Sequence, residues 1–102
     1  MAWHQVASAN EVQEDEALPV TVGKTMIALV RIDDKVYGLS NVCTHQFALM
    51  SDGFVDDGCI ECPLHQARFD IATGEHIGGQ ACAGLEVFPV KIQDGLVYVE
   101  SA

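Results

Sequence analysis

Short apolar runs alternate with turn residues along this chain, and no window keeps a 3.6-residue period over three helical turns. The pattern predicts a mostly β structure. Met26 to Ile32 and Val36 to Leu39 flank Asp33-Asp34-Lys35, which predicts a hairpin. Val87 to Ile92 and Leu96 to Val99 flank Gln93-Asp94-Gly95, which predicts another, with Asp-Gly supplying the left-handed turn conformation. Thr73-Gly74 similarly separates Phe69-Asp70-Ile71 from His76-Ile77. Asn10 to Glu16 reads as a polar, acidic surface loop with room for one helical turn. Trp3, Phe88 and Tyr98 are expected in the core, and His4 and His76 on the surface or in a hairpin.

The middle of the chain differs from its ends. From Asn41 to Gly84 lie all four cysteines, three of the four histidines and six of the nine glycines (Gly53, Gly58, Gly74, Gly78, Gly79 and Gly84). Such a density of loop formers suits a region that holds a site more than one that builds a core. The expected organisation is one domain over residues 1–102, with a β scaffold from approximately 1–40 and 85–102 and an inserted site-bearing region over approximately 41–84.

Charge narrows the partners. Five basic residues against fifteen acidic ones give a formal charge of -10, which repels phosphate backbones and anionic lipid alike. Neither nucleic acid nor membrane is an expected partner. The same charge can steer the domain onto a basic protein surface in a salt-dependent way, or serve solubility alone. Residues 1–16 have no basic segment, apolar run or small-residue cleavage site, and no apolar stretch is long enough to span a bilayer, so the expected location is the cytoplasm. In that compartment Cys43, Cys59, Cys62 and Cys82 are read as metal ligands or buried thiols before disulfides.

Two segments each supply one Cys and one His: Cys43-Thr44-His45 and Cys62-Pro63-Leu64-His65, with sixteen residues between them. Together they form a four-ligand set of two thiolates and two imidazoles, for which zinc and an iron–sulfur cluster are both candidates. Structural zinc sites more often place like ligands together, whereas a mixed pair in each loop suits a cluster with two unlike irons. Cys59-Ile60-Glu61-Cys62 also spells C-x-x-C, but no βαβ pattern surrounds it, so Cys59 is read as a small strand residue and Cys82 as a loop residue of the same kind.

The segments CTH and CPLH, followed by Phe69-Asp70 and Thr73-Gly74, resemble the Rieske-type ferredoxins of bacterial ring-hydroxylating dioxygenase systems. Trp3, the hairpin before the first ligand segment, Phe88-Pro89-Val90 and Tyr98 extend the resemblance over nearly the whole chain. It implies an all-β Rieske fold, an antiparallel β sandwich-like base with an inserted small cluster-binding subdomain. It implies one [2Fe-2S] cluster, with Cys43 and Cys62 on one iron and His45 and His65 on the other through Nδ1. It further implies a one-electron carrier, not itself an enzyme, working in aromatic hydrocarbon catabolism between a flavin-dependent ferredoxin reductase and a terminal Rieske non-haem iron oxygenase. The small subunit of a larger oxidoreductase such as nitrite reductase, and a zinc-stabilised binding module, are the alternatives.

Departures from the respiratory relatives refine the expectation. Those proteins carry two further cysteines that brace the cluster, where Ala48 and Leu64 stand here, and aim serine and tyrosine hydroxyls at it, where Ala67 and Phe69 stand. Fewer hydrogen bonds to the sulfurs leave the reduced cluster less stabilised, so a low potential is expected. Gly78 to Gly84 lacks the proline that many relatives place over the cluster, which suggests a looser cover. Gln46, Phe47 and Pro63, with Asp52, Asp56 and Asp57, are candidates for a docking face; packing and turn formation are the rival roles.

Overall fold

The computed structural model describes residues 2–42, 48–63, 67–78 and 83–101. Within them the chain forms β1 (Ala2–Ser8), β2 (Ala17–Val22), β3 (Thr25–Ile32), β4 (Lys35–Ser40), β5 (Phe54–Asp56), β6 (Cys59–Glu61), β7 (Arg68–Asp70), β8 (His76–Gly78), β9 (Val87–Phe88), β10 (Val90–Gln93) and β11 (Leu96–Ser101). Short 3-10 turns at Ala9–Glu11 and Met50–Asp52 are the helical elements among these residues. The strands pair antiparallel in three sheets, ordered β1-β11-β10, β2-β3-β4-β9 and β5-β6-β7-β8. The all-β expectation holds.

The apolar run of β3 explains how the sheets stack. Side chains alternate between the two faces of a strand, so an unbroken buried run needs cover on both. Ile27 and Leu29 pack with Val22, Val36, Val97 and Val99 in one core, while Val30 joins Leu39, Ile60, Phe69 and Ile71 in another. The middle sheet therefore shares one core with the β1-β11-β10 sheet and the other with the β5-β6-β7-β8 sheet. Burying each such side chain is worth about 1.5–3 kcal/mol. Pro19, which has no N–H to donate, sits in the edge strand β2, where the ladder tolerates it.

Turn chemistry sets the hairpins. Asp94 and Gly95 both take positive φ (55° and 76°), as do Asp57 and Gly58 (52° and 76°), the backbone of a two-residue hairpin turn. The turns are tighter than the sequence suggests: Lys35 already pairs with Ile32 and Gln93 with Leu96.

Several expectations need correction. The run from Val87 to Ile92 is two strands, since β9 pairs with β4 in one sheet and β10 with β11 in another. Pro89 separates them; its carbonyl accepts from the Glu100 N–H at 3.0 Å, but it can donate nothing, so the chain changes sheets there. Trp3 is 40% exposed, covered by Lys91, whose Nζ lies 4.5 Å from the ring centroid. Phe88 and Tyr98 are only partly buried. The loop at Asn10 to Glu16 has a 3-10 turn but is not wholly solvated: Val12 is buried, and Arg31 donates to the Val12 and Ala9 carbonyls at 2.7 Å each. His76 lies in the β7–β8 hairpin, as expected, and His4 in β1; both are half-buried, each with its Nε2 shielded from solvent.

Gly74 joins the inserted sheet to the segment that follows it. Its φ is +77°, a Cβ there would strike the Leu85 carbonyl oxygen, and its own carbonyl accepts from the Leu85 N–H at 2.7 Å. Gly58 has a similar φ but open space around it. Gly74→Ala is therefore expected to cost about 3 kcal/mol and Gly58→Ala about 1 kcal/mol in denaturant unfolding. Equal losses would mean that the close approach of Leu85 contributes nothing.

Candidate metal centre

The first ligand segment leaves the middle sheet at Asn41 and returns at Leu49. Asn41 is buried and holds both ends of that excursion together. Its N–H donates to the Met26 carbonyl at 2.8 Å, its carbonyl accepts from Met50 N–H at 2.7 Å, and its Oδ1 accepts from Ser51 N–H at 2.7 Å. Its Nδ2 donates to Ser51 Oγ at 3.0 Å, and Val42 and Leu49 form a β bridge. The sequence reading passed over this residue. A polar side chain two positions before the expected ligand Cys43, at the end of an apolar strand, is the signal that marks it.

The second segment leaves β6 at Cys62 and returns at Ala67, where the Cys62 N–H donates to the Ala67 carbonyl at 2.8 Å. Strand alternation places Ile60 and Cys62 on the inner face and Cys59 and Glu61 on the outer one. Cys59 and Cys62 are both free thiols, and their opposite directions disfavour the pairing that C-x-x-C spells. The Cys59 Sγ instead lies 3.7 Å from the Asp57 carbonyl.

The stems of the two segments meet in one core. Met50 comes from the first, and Cys62 and Ala67 from the second, alongside Phe69 and Leu85, with Ala48 packed against the cluster they form. Gly53 allows the approach, since a Cβ there would strike the Glu61 carbonyl oxygen and come within 3.2 Å of Pro63 Cδ. Of the four ligands expected from sequence, Cys62 is described: it is fully buried, with its side chain in this core. Cys43, His45 and His65 lie outside the described residues, as do Gln46, Phe47, Leu64 and the 79–82 stretch with Cys82. Gly84 and Leu85, just beyond that stretch, are fastened against Gly74.

Cys62 thus stands at the edge of an apolar core, on the turn that carries the CPLH segment. Ala67 and Phe69 are fully buried in the same core and bring no hydroxyl to it. On the outer face of the sheet Glu61 and Arg68 form a loose ion pair at 3.9 Å, worth at most about 1 kcal/mol where exposed.

A family model for the Rieske [2Fe-2S] domain matches residues 2–89. The chain belongs to the Rieske family. It is 39% identical over 97 residues to the anthranilate 1,2-dioxygenase ferredoxin subunit of Burkholderia cepacia, a match covering 95% of this chain and 90% of that one. The ferredoxin of Sphingomonas yanoikuyae B1 superposes with a TM-score of 0.93 at 31% identity, over 99% of this chain and 100% of that one. A chain from the complex of reduced oxygenase and oxidized ferredoxin in carbazole 1,9a-dioxygenase is 35% identical with a TM-score of 0.89, over 95% of this chain and 91% of its own length.

This Rieske chain therefore carries a [2Fe-2S] cluster, not zinc, and is an electron carrier, not a catalyst. When bound, the cluster would supply a centre that takes up and gives up one electron, at a potential tuned by the residues around it. With Ala67 and Phe69 donating nothing, the midpoint potential is expected at the low end of the Rieske range, about -150 mV. A redox titration giving a value well above zero would contradict this.

Proposed function

We propose that this chain ferries single electrons from a flavin-dependent ferredoxin reductase to a terminal Rieske non-haem iron oxygenase in aromatic catabolism. The cluster is held by Cys43 and Cys62 on one iron and His45 and His65 on the other. The observation that carries this reading is the shared core at the stems of the two ligand segments, with the Cys62 thiol buried inside it. The family match and the ferredoxin subunits that the chain resembles over 90% or more of their length support the same role. The inserted region over approximately 41–84 then acts as the cluster-binding part of one domain, and residues 1–40 and 85–102 as its base.

The chain works in the cytoplasm on this reading, in keeping with the free thiol of Cys59. Among the described residues no helix is long and apolar enough to cross a membrane. Its partners present basic surfaces. Four of the five cationic side chains are engaged within the molecule: Arg31 on two carbonyls, Lys35 over Tyr37, Lys91 between Trp3 and Tyr98, and Arg68 beside Glu61. The net charge of -10, with these cations counted, attracts a cationic partner over roughly a Debye length, about 10 Å at 0.1 M salt.

Substitution separates ligands from bystanders. Cys62→Ala and His65→Ala are expected to abolish the histidine-ligated absorption and the low-average-g EPR signal of the reduced protein, while Cys59→Ala keeps both. Retention of the signal in His65→Ala would remove that residue from the ligand set. Reduction by the reductase should slow severalfold between about 50 and 200 mM salt, and a flat profile would contradict electrostatic steering. A protein isolated only as a stable complex with a large catalytic subunit would instead favour a fixed-subunit role.

A further inference from the structure

Phe54 is the most exposed of the large apolar side chains among the described residues, at 66%. Its neighbour Val55 packs against the core beneath the inserted sheet, so Phe54 and Asp56 face away from that core, toward solvent. β5 is an edge strand of its sheet, and edge strands are ordinarily kept soluble by charge or proline; an outward phenyl ring does the opposite. One apolar side chain on a surface carries little meaning by itself. The mounting of this ring and the charge around it carry more.

The mount is rigid. The 3-10 turn at Met50–Asp52 leads into β5, with the Asp52 N–H donating to the Leu49 carbonyl at 3.1 Å and the Gly53 N–H to the Met50 carbonyl at 3.0 Å. A Cβ on Gly53 would strike the Glu61 carbonyl oxygen, so the backbone just before the ring sits hard against β6. Phe54 pairs with Glu61 and Glu61 with Arg68, which puts the ring at one end of a row across the sheet. That row borders the CPLH segment: Cys62 follows Glu61, Ala67 precedes Arg68, and Gly53 lies beside Pro63. A ring held in place gives up little conformational freedom when it is covered, which is what an interface anchor needs.

The surroundings are acidic. Asp52, Asp56 and Asp57 are exposed along β5 and its flanks, and Glu61 is the neighbour across the ladder. Arg68 is the one lysine or arginine in the four strands of this sheet, and it is drawn toward Glu61 at 3.9 Å. An apolar centre with a charged rim is the anatomy of a protein interface, and a rim of one sign selects a partner of the other.

We propose that Phe54, flanked by Asp52, Asp56 and Asp57, is the anchor on which the flavin-dependent reductase docks, its ring entering an apolar socket edged by lysine or arginine side chains. This rests on the carrier role proposed above, which makes the reductase the cationic partner whose encounter depends on salt. The carboxylates supply the part of the attraction that salt screens, and the ring supplies the part that it does not.

The test measures initial rates of reduction of the full-length, cluster-loaded chain by a purified flavin-dependent ferredoxin reductase that reduces the wild type. Phe54→Ser is expected to raise the KM for this chain roughly fivefold to tenfold, as truncation of an interface anchor does, with kcat and the midpoint potential unchanged. That rise should persist at high salt. Asp56→Lys should raise KM severalfold at about 50 mM salt and lose most of the difference at about 500 mM. Ile92→Ser removes an exposed apolar side chain from the β1-β11-β10 sheet and should change nothing. A wild-type KM in Phe54→Ser, or an equal rise in Ile92→Ser, overturns the proposal. So does an effect of Phe54→Ser confined to electron transfer to the oxygenase, which gives the ring to the other partner, or a Phe54-dependent dimer in sedimentation, which gives it to a second copy.

If the variants do not load a cluster, wild-type protein decides. Amide hydrogen exchange over residues 50–57 should slow when the reductase is added, while exchange over 90–93 stays as it was. Unaltered exchange at 50–57 overturns the proposal. A wild-type chain that such reductases do not reduce would instead sink the carrier role itself, and the proposal with it.

Discussion

Ile27 and Leu29 point from one face of β3 and Val30 from the other, so the middle sheet is stable only if both of its faces are covered. The sheet formed by β1, β11 and β10 covers one face, with Val97 and Val99 as its main contribution. The inserted sheet covers the other, through Ile60, Phe69 and Ile71. The insertion is thus bound to the base by the base's own need for burial. A strand slip in β3 would turn both cores inside out, which ties the position of the ligand segments to the register of a strand that carries no ligand.

That arrangement suits electron transfer. Cys62 and the stem of the first segment rest on packed strands, and Asn41 ties the first stem with hydrogen bonds from backbone and side chain together. A site mounted on rigid stems changes little when its charge changes, so less of the driving force is lost to rearrangement. The same packing excludes water from the thiol side of the centre, where field effects from nearby dipoles are strongest. In such surroundings a buried residue has leverage over the potential that it would lack at the surface.

The outside of the molecule follows a different rule. Acidic residues cluster in turns and on outer strand faces, where Asp33, Asp57 and Asp94 also supply left-handed backbone, so one residue type serves both local geometry and net charge. Cations are mostly folded back onto carbonyls and aromatic faces. The fold therefore presents an acidic exterior without sacrificing turn formation.

Much of this was legible in order along the chain. The hairpins at Asp33-Asp34 and Asp94-Gly95, the insertion, and the paired Cys-His segments are local facts, fixed by turn preferences and by spacing. The sequence by itself determined the all-β character, the donor types and the family they resemble, because each depends on residues near one another in the chain. Only the tertiary structure decided that Pro89 splits one apolar run between two sheets, that Trp3 lies outside under Lys91, and that Cys59 and Cys62 face apart. It alone placed Asn41 at the base of the first segment and His76 against Phe69. Those outcomes turn on which strand is a neighbour and which face it shows, and burial shared between distant segments settles both.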